Sequence, residues 1–272
     1  MCARAESAGA GALWACDHLF WHTPNLECLS AVTLAALATN EVTVGSCVMQ
    51  LPLRSPQAVA KQVASISHLS EGRTVLGVGV GARRGEYLAA GEAFASRASR
   101  LDKGIETLRR AWSGAGPTGY LQLPPPPRVP IWIGGSSEAA LRRAARLGDG
   151  WIPLFISPSE YGPAMERLDK EADRARRDPA VITRAMVVFA ALGGGRVREA
   201  GLDWMASLYS LAPSAFRGHL LAGTATQVAD MLGAYLDAGA SHVAVFVTND
   251  DPLAAFEDLA AEVLGRAEAG VR

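Results

Sequence analysis

Short apolar runs rich in β-branched residues alternate with amphipathic helical stretches along almost the whole chain. The apolar runs lie at residues 12–16, 42–48, 74–80, 131–133, 151–154, 185–192 and 242–247. Helical spacing is found at 27–38, 56–69, 101–112, 138–147, 158–176, 226–238 and 253–264. The run from Val42 to Val48 shows no strict alternation, the pattern of a strand buried on both faces. The stretch 101–112 sets Leu101, Ile105, Leu108 and Trp112 on one side of a helix. Pro56 stands where a first turn tolerates proline, and Gly148 and Gly239 stand where helices end.

Strands that alternate with helices make parallel βαβ units. A strand count approaching eight in 272 residues predicts a (β/α)8 barrel forming a single domain over residues 1–272. The rival is a doubly wound open sheet, because Gly77, Gly79 and Gly81 follow a strand as in a dinucleotide loop. That fingerprint belongs at the first βα turn, whereas these glycines follow a middle strand. Two stretches are irregular. Residues 114–130 hold four consecutive prolines, Pro124 to Pro127, and suit neither a helix nor a central strand. Residues 193–223 open on three glycines, turn helical around 203–211, and read as an excursion over the barrel mouth.

Apolar residues make up 49% of the chain and charged residues 19%, enough to bury a large core. A net charge of −1 gives no reason to expect nucleic acid or an anionic membrane as partner. The basic run Arg142, Arg143, Arg146 sits in a helical pattern and reads as a solvated face. Cys2, Cys16, Cys28 and Cys47 contain no CxxC pair, so neither a disulfide framework nor a zinc site is implied, and no metal is expected. Reduced thiols and a cytoplasmic location are the expectation. The sequence shows no apolar stretch of membrane-spanning length and no signal-peptide run near Met1.

In a barrel of this kind the active site lies at the C-terminal ends of the strands. The segments there are Asp17-His18 with Trp21 and His22, Cys47-Val48, Gly79 to Gly81, and Gly134-Gly135-Ser136-Ser137. The last has the clearest physical content. Small residues admit a ligand close to the backbone, and the helix beginning near Ser137 offers unbonded N–H groups to a phosphate. Ser136 or Ser137 also suits a plain N-cap, and the two roles are compatible. His18 has the chemistry of an acid, a base or a ring donor, or of a hydrogen-bonded rim residue. Nothing near Cys47 in the sequence would activate it as a nucleophile.

The segments LWACDHLFW, TVGSCVMQLPLRSPQAVAKQVASISHLSEGRTVLGVGVGARRGEY, RASRLDKGIETLRRAW, VPIWIGGSSEAALRRAARLGDGWIP and GTATQVADMLGAYLDAGASHVAVF together resemble the luciferase-like monooxygenase family. They occur in that family's order and cover most of the chain. The resemblance implies a TIM barrel that binds FMN or the deazaflavin coenzyme F420. It places His18 by the reactive ring, in the manner of the deazaflavin branch, with Asp17 beside it among the cofactor-binding residues. It implies a non-prolyl cis peptide at Cys47–Val48 behind the ring, Gly79 and Gly81 near the cofactor tail, and Gly134, Gly135, Ser136 and Ser137 at the phosphate. Two departures stand out. Relatives carry a strand before the helix that begins this chain, so the first barrel strand is expected to be lacking. Ala82 stands where sugar-phosphate dehydrogenases of the family carry a glutamate acid.

The expected activity is F420-dependent hydride transfer to or from a small organic substrate, with His18 catalytic. The alternatives are an FMN-dependent monooxygenase using oxygen, and a non-catalytic flavin-binding member. A homodimer is expected, because a missing strand leaves an unpaired edge.

Overall fold

The computed structural model describes residues 1–21, 24–113 and 128–268. The chain folds into a parallel α/β barrel in which strands and helices alternate as the pattern predicts. The strands are β1 (Ala12–Ala15), β2 (Thr43–Met49), β3 (Thr74–Val78), β4 (Ile131–Gly134), β5 (Gly150–Ile152), β6 (Thr183–Leu192), β7 (Leu220–Gly223) and β8 (His242–Val247). The helices are α1 (Cys2–Ser7), α2 (Cys28–Ala38), α3 (Pro56–Leu69), α4 (Arg84–Ala89), α5 (Arg97–Trp112), α6 (Glu138–Leu147), α7 (Pro158–Arg174), α8 (Gly195–Tyr209), α9 (Ala225–Asp237) and α10 (Pro252–Glu268). Residues 114–127 of the proline-rich stretch, and His22, lie outside the described residues.

Local chemistry explains the boundaries. Ser55 caps α3 by accepting the Ala58 N–H, with Pro56 in the first turn. Thr224 and Gln227 form a capping box at the start of α9. Helix α5 buries Leu101, Ile105 and Leu108 completely, on the face the spacing marked. Each such side chain contributes roughly 1.5–3 kcal/mol on burial. Strands β3 and β4 are buried along their whole length, as strands with helices on one side and a filled barrel on the other must be.

The sheet runs β1-β2-β3-β4-β5-β6, and both β7 and β8 then pair with β6. Strand β6 has room for a third partner because it is ten residues long. Its odd-numbered residues bond the β5 edge and then β7, through Val187 N–H to Pro153 O and Gly193 N–H to Gly223 O. Its even-numbered residues bond β8, as Ala190 O does from Thr248 N–H. Among the described residues β1 pairs only with β2 and β8 only with β6. Side chains bridge that seam. The rings of Trp14 (β1), Trp132 (β4) and His242 (β8) meet inside the barrel at centroid distances of 5.1–5.3 Å. The Trp14 Nε1–H donates to His242 Nε2 at 3.2 Å.

Three elements differ from the sequence reading. The excursion over 193–223 holds a full 15-residue helix, α8, and a short strand, β7. Four residues of β-propensity between glycines are too few for periodicity to register. Helix α4, six residues after the glycine-rich loop, was likewise not anticipated.

Candidate active site

The turns that leave β1, β2, β3 and β4 converge on one end of the barrel. Asp17 and His18 are neighbours in extended chain, so their side chains part. The buried Asp17 carboxylate accepts the Gln50 backbone N–H at 2.8 Å and pairs with Arg54 at 2.6 Å. Arg54 also reaches Glu27 at 3.0 Å. This network ties the β1 turn to the β2 turn and leaves His18 to face elsewhere.

His18 faces Glu86. Its Nδ1 lies 3.2 Å from both carboxylate oxygens of that residue. The Glu86 side chain is only 2% exposed. It accepts the Leu19 N–H at 2.7 Å and the Gln50 side-chain amide at 3.1 and 3.2 Å. The same Gln50 amide donates to the Asp17 carbonyl at 3.1 Å. Burial pushes the His18 imidazole below its ordinary 6.5; the hydrogen bond and charge of Glu86 oppose that without cancelling it, and Arg83 adds to the lowering.

Trp21 lies flat on His18, with ring centroids 3.6 Å apart and planes 25° from parallel. The Arg83 guanidinium sits 3.9 Å from the Trp21 ring centre. Two groups so close to one ring centre cannot share a face, so Trp21 is held between them. Arg83 also donates to the Leu208 carbonyl at 2.9 Å, near the end of α8. Tyr209 stands edge-on to Trp21 at 6.4 Å. Helix α8 thus delivers its C-terminal end to the site.

The glycines have more than one use. A Cβ on Gly134 would lie 2.7 Å from Val48 Cγ2, and one on Gly79 2.8 Å from the same atom. Both positions are therefore committed to admitting the Val48 side chain. Gly81 has φ +68°, and its missing Cβ makes room for the Gln50 amide. The Cys47–Val48 peptide is cis, as the resemblance implied. Burial pushes the Cys47 thiol well up, away from any nucleophilic role.

The segment from Gly135 to Ser137 opens helix α6. Ser137 Oγ accepts the Ala140 N–H at 3.2 Å, the plain cap. The Ser136 hydroxyl donates to the Leu154 carbonyl, and the Gly135 carbonyl accepts from Trp151 Nε1 at 2.9 Å. Ser136 and Ser137 are exposed. The first-turn N–H groups that a helix cannot bond internally remain on that surface.

Sequence reasoning passed over Glu86, Gln50 and Arg54. Glu86 was within reach, since it is an acidic residue in the loop-to-helix segment after β3, four positions beyond Ala82. Its pairing with His18 across 68 residues was not.

Parallel strands, helices between them and polar residues gathered at the strands' C-terminal ends define an enzyme-type α/β barrel. The chain belongs to the luciferase-like monooxygenase family, whose model matches residues 1–196. It is 31% identical over 159 residues to a phthiodiolone/phenolphthiodiolone dimycocerosates ketoreductase of Mycobacterium tuberculosis. That match spans 53% of this chain and 42% of the relative, so the chain corresponds to less than half of that protein. An F420-dependent secondary alcohol dehydrogenase in complex with an F420-acetone adduct superposes with a TM-score of 0.87 at 18% identity, covering 97% of this chain and 92% of that one. The monooxygenase RslO1 from Streptomyces bottropensis superposes with 0.80 at 17% identity, covering 97% and 93%. These likenesses establish the TIM-barrel fold, and family members are oxidoreductases or monooxygenases.

Proposed function

We propose that this chain is an F420-dependent oxidoreductase that moves a hydride between the deazaflavin and a small organic substrate of the alcohol–ketone type. The observation that carries the reading is His18, kept neutral by burial and backed by Glu86 at the catalytic end of the barrel. The names of the ketoreductase relative and of the alcohol dehydrogenase support the same chemistry.

The residues present fit a flavin-type cofactor. Such a group brings a phosphate and a flat ring with a polar edge. The opening of α6, with Gly134, Gly135, Ser136 and Ser137, would hold the phosphate. Gln50 Oε1 is buried and has no partner among the described residues, so it offers an acceptor beside His18 to a ring N–H. Cys47–Val48, Gly79, Gly81 and Asp17 would act from behind, by fixing the turns that carry these groups. When bound, the cofactor supplies or accepts the hydride. His18 takes the hydroxyl proton of an alcohol, or returns one to a carbonyl oxygen. Trp21 and Tyr209 exclude water above it.

Absorbance titration with F420 and with FMN tests this. Binding of F420 is expected, with turnover of an alcohol or ketone. Tight FMN binding with no affinity for F420 would overturn it, and oxygen uptake that needs reduced FMN and a substrate would mark the monooxygenase alternative.

A single domain over residues 1–272, a cytoplasmic location with reduced thiols, and a homodimer belong to the same proposal. The edges of β1 and β8, unpaired among the described residues, favour the dimer, as do Leu34 and Leu37, 57% and 64% exposed on α2. Sedimentation checks it, and a clean monomer at micromolar concentration would count against it.

A further inference from the structure

We propose that Glu86 is the positioning residue of this site: its carboxylate holds the Nδ1 proton of His18 and leaves Nε2 to exchange protons with the substrate. The inference rests on the reading of His18 as acid and base given above.

Two groups crowd His18 Nδ1. The Glu86 oxygens are at 3.2 Å and the Gln50 side-chain nitrogen at 3.4 Å. A carboxylate can only accept and an amide nitrogen can only donate. Were Nδ1 bare, its lone pair would face two carboxylate oxygens. The Gln50 amide is moreover engaged elsewhere, donating to Glu86 and to the Asp17 carbonyl. Turning that amide over would set its oxygen against these same acceptors, so its orientation follows from its surroundings. The arrangement that leaves no clash at Nδ1 has a proton there, directed at Glu86.

The carboxylate is itself held in place. Leu19 N–H and Gln50 fix it, it is almost wholly buried, and among the described residues it makes no ion pair besides His18. Trp21 lies on the imidazole and fixes its plane. With Nδ1 engaged and the plane set, Nε2 is the nitrogen left for a reacting oxygen. In the oxidative direction Nε2 would take the hydroxyl proton as the carbon gives its hydride to the deazaflavin of the proposed function; the resulting imidazolium would lie against the Glu86 carboxylate, which favours it. In the reductive direction Nε2 returns that proton. Nδ1 keeps its own proton throughout. Among the described residues the charged groups facing His18 are Glu86 from α4, Asp17 beside it in the β1 turn and Arg83 from the loop before α4. Of these, Glu86 alone bonds the ring.

The test is long-range proton–nitrogen NMR on the whole protein labelled with ¹⁵N-histidine, with the His18 signals assigned by their loss in His18→Ala. Wild type should show His18 as the Nδ1–H tautomer above its titration. In Glu86→Gln the preference for that tautomer should weaken and the titration midpoint should fall, because a charge that favours imidazolium is gone. Turnover should drop at least ~10-fold, a part of the ~10²–10⁴ that acid–base catalysis supplies, and its pH profile should move with the midpoint. Glu86→Asp should restore part of both. A wild-type His18 carrying its proton on Nε2 overturns the inference without any variant, as does a folded Glu86→Gln protein with unchanged tautomer and midpoint. If Glu86→Gln fails to fold, the wild-type tautomer and the Glu86→Asp midpoint decide. Full activity in His18→Ala, with the expected tautomer present, would sink the functional reading instead and leave the Glu86–His18 bond standing.

Discussion

The Trp21 indole lies on the His18 imidazole, ring centroids 3.6 Å apart, so that the residue best suited to move a proton is covered on one face by its own loop. With Glu86 at its edge, His18 is shielded but not sealed: 27% of its side chain stays exposed. A group so placed can meet substrate yet supports little packing, and the first prediction follows from that.

Replacing His18 by Ala should lower turnover by roughly 10²–10⁴. The melting temperature should move by only a few degrees, about what 1 kcal/mol or less produces in a domain of this size. Steady-state kinetics beside thermal unfolding checks both. Unfolding of the variant, or full activity, would make His18 a rim residue.

Stability should fall as the solution is acidified below about pH 6.5. Burial lowers the pKa of His18 and of His242 beneath that ordinary value. Between the folded and unfolded values the unfolded chain holds more protons, so stability rises with pH there and this contribution is complete above 6.5. His242→Gln should flatten the curve, as read from urea midpoints between pH 8 and pH 5. An unchanged slope would mean that His242 titrates normally.

Gly134→Ala should destabilise by about 1–3 kcal/mol, because the new methyl meets Val48. Val48→Ala in the same chain should recover part of the loss. Denaturant unfolding of the double-mutant cycle measures the coupling, and simple additivity would show that the two do not compete for space.

Asp17→Asn should cost about 3 kcal/mol, since it leaves the half-buried Arg54 without the nearer of its two carboxylates. Glu257→Gln, which breaks the exposed pair with Arg4, should cost much less, since solvent screens that pair. Equal effects in chemical denaturation would refute the distinction.

Gly135→Leu should weaken cofactor binding more than tenfold, about 1.4 kcal/mol, since Gly135 has φ +108° at the opening of α6. Far-UV circular dichroism must first show an intact fold. Unchanged affinity would move the phosphate elsewhere.

The alternation of strand and helix was legible because it depends on near neighbours. A buried parallel strand is apolar along its whole length, and a capped helix announces itself within four residues. The segments at Asp17-His18 and Gly134 to Ser137 could be placed at strand ends for the same reason. Tertiary structure decided which groups meet. His18 and Glu86 are 68 residues apart, and Asp17 and Arg54 are 37; no local preference encodes either pair. Gly79 and Gly134 read from sequence as cofactor glycines; that a missing Cβ there also admits Val48, which arrives from a different strand, was not legible. Strand β7 and the first half of helix α8 escaped because their positions depend on the spare length of β6 and on the packing of Tyr209 over the mouth. Periodicity records which side of an element is buried; the partner on that side is chosen only when the sheet has assembled.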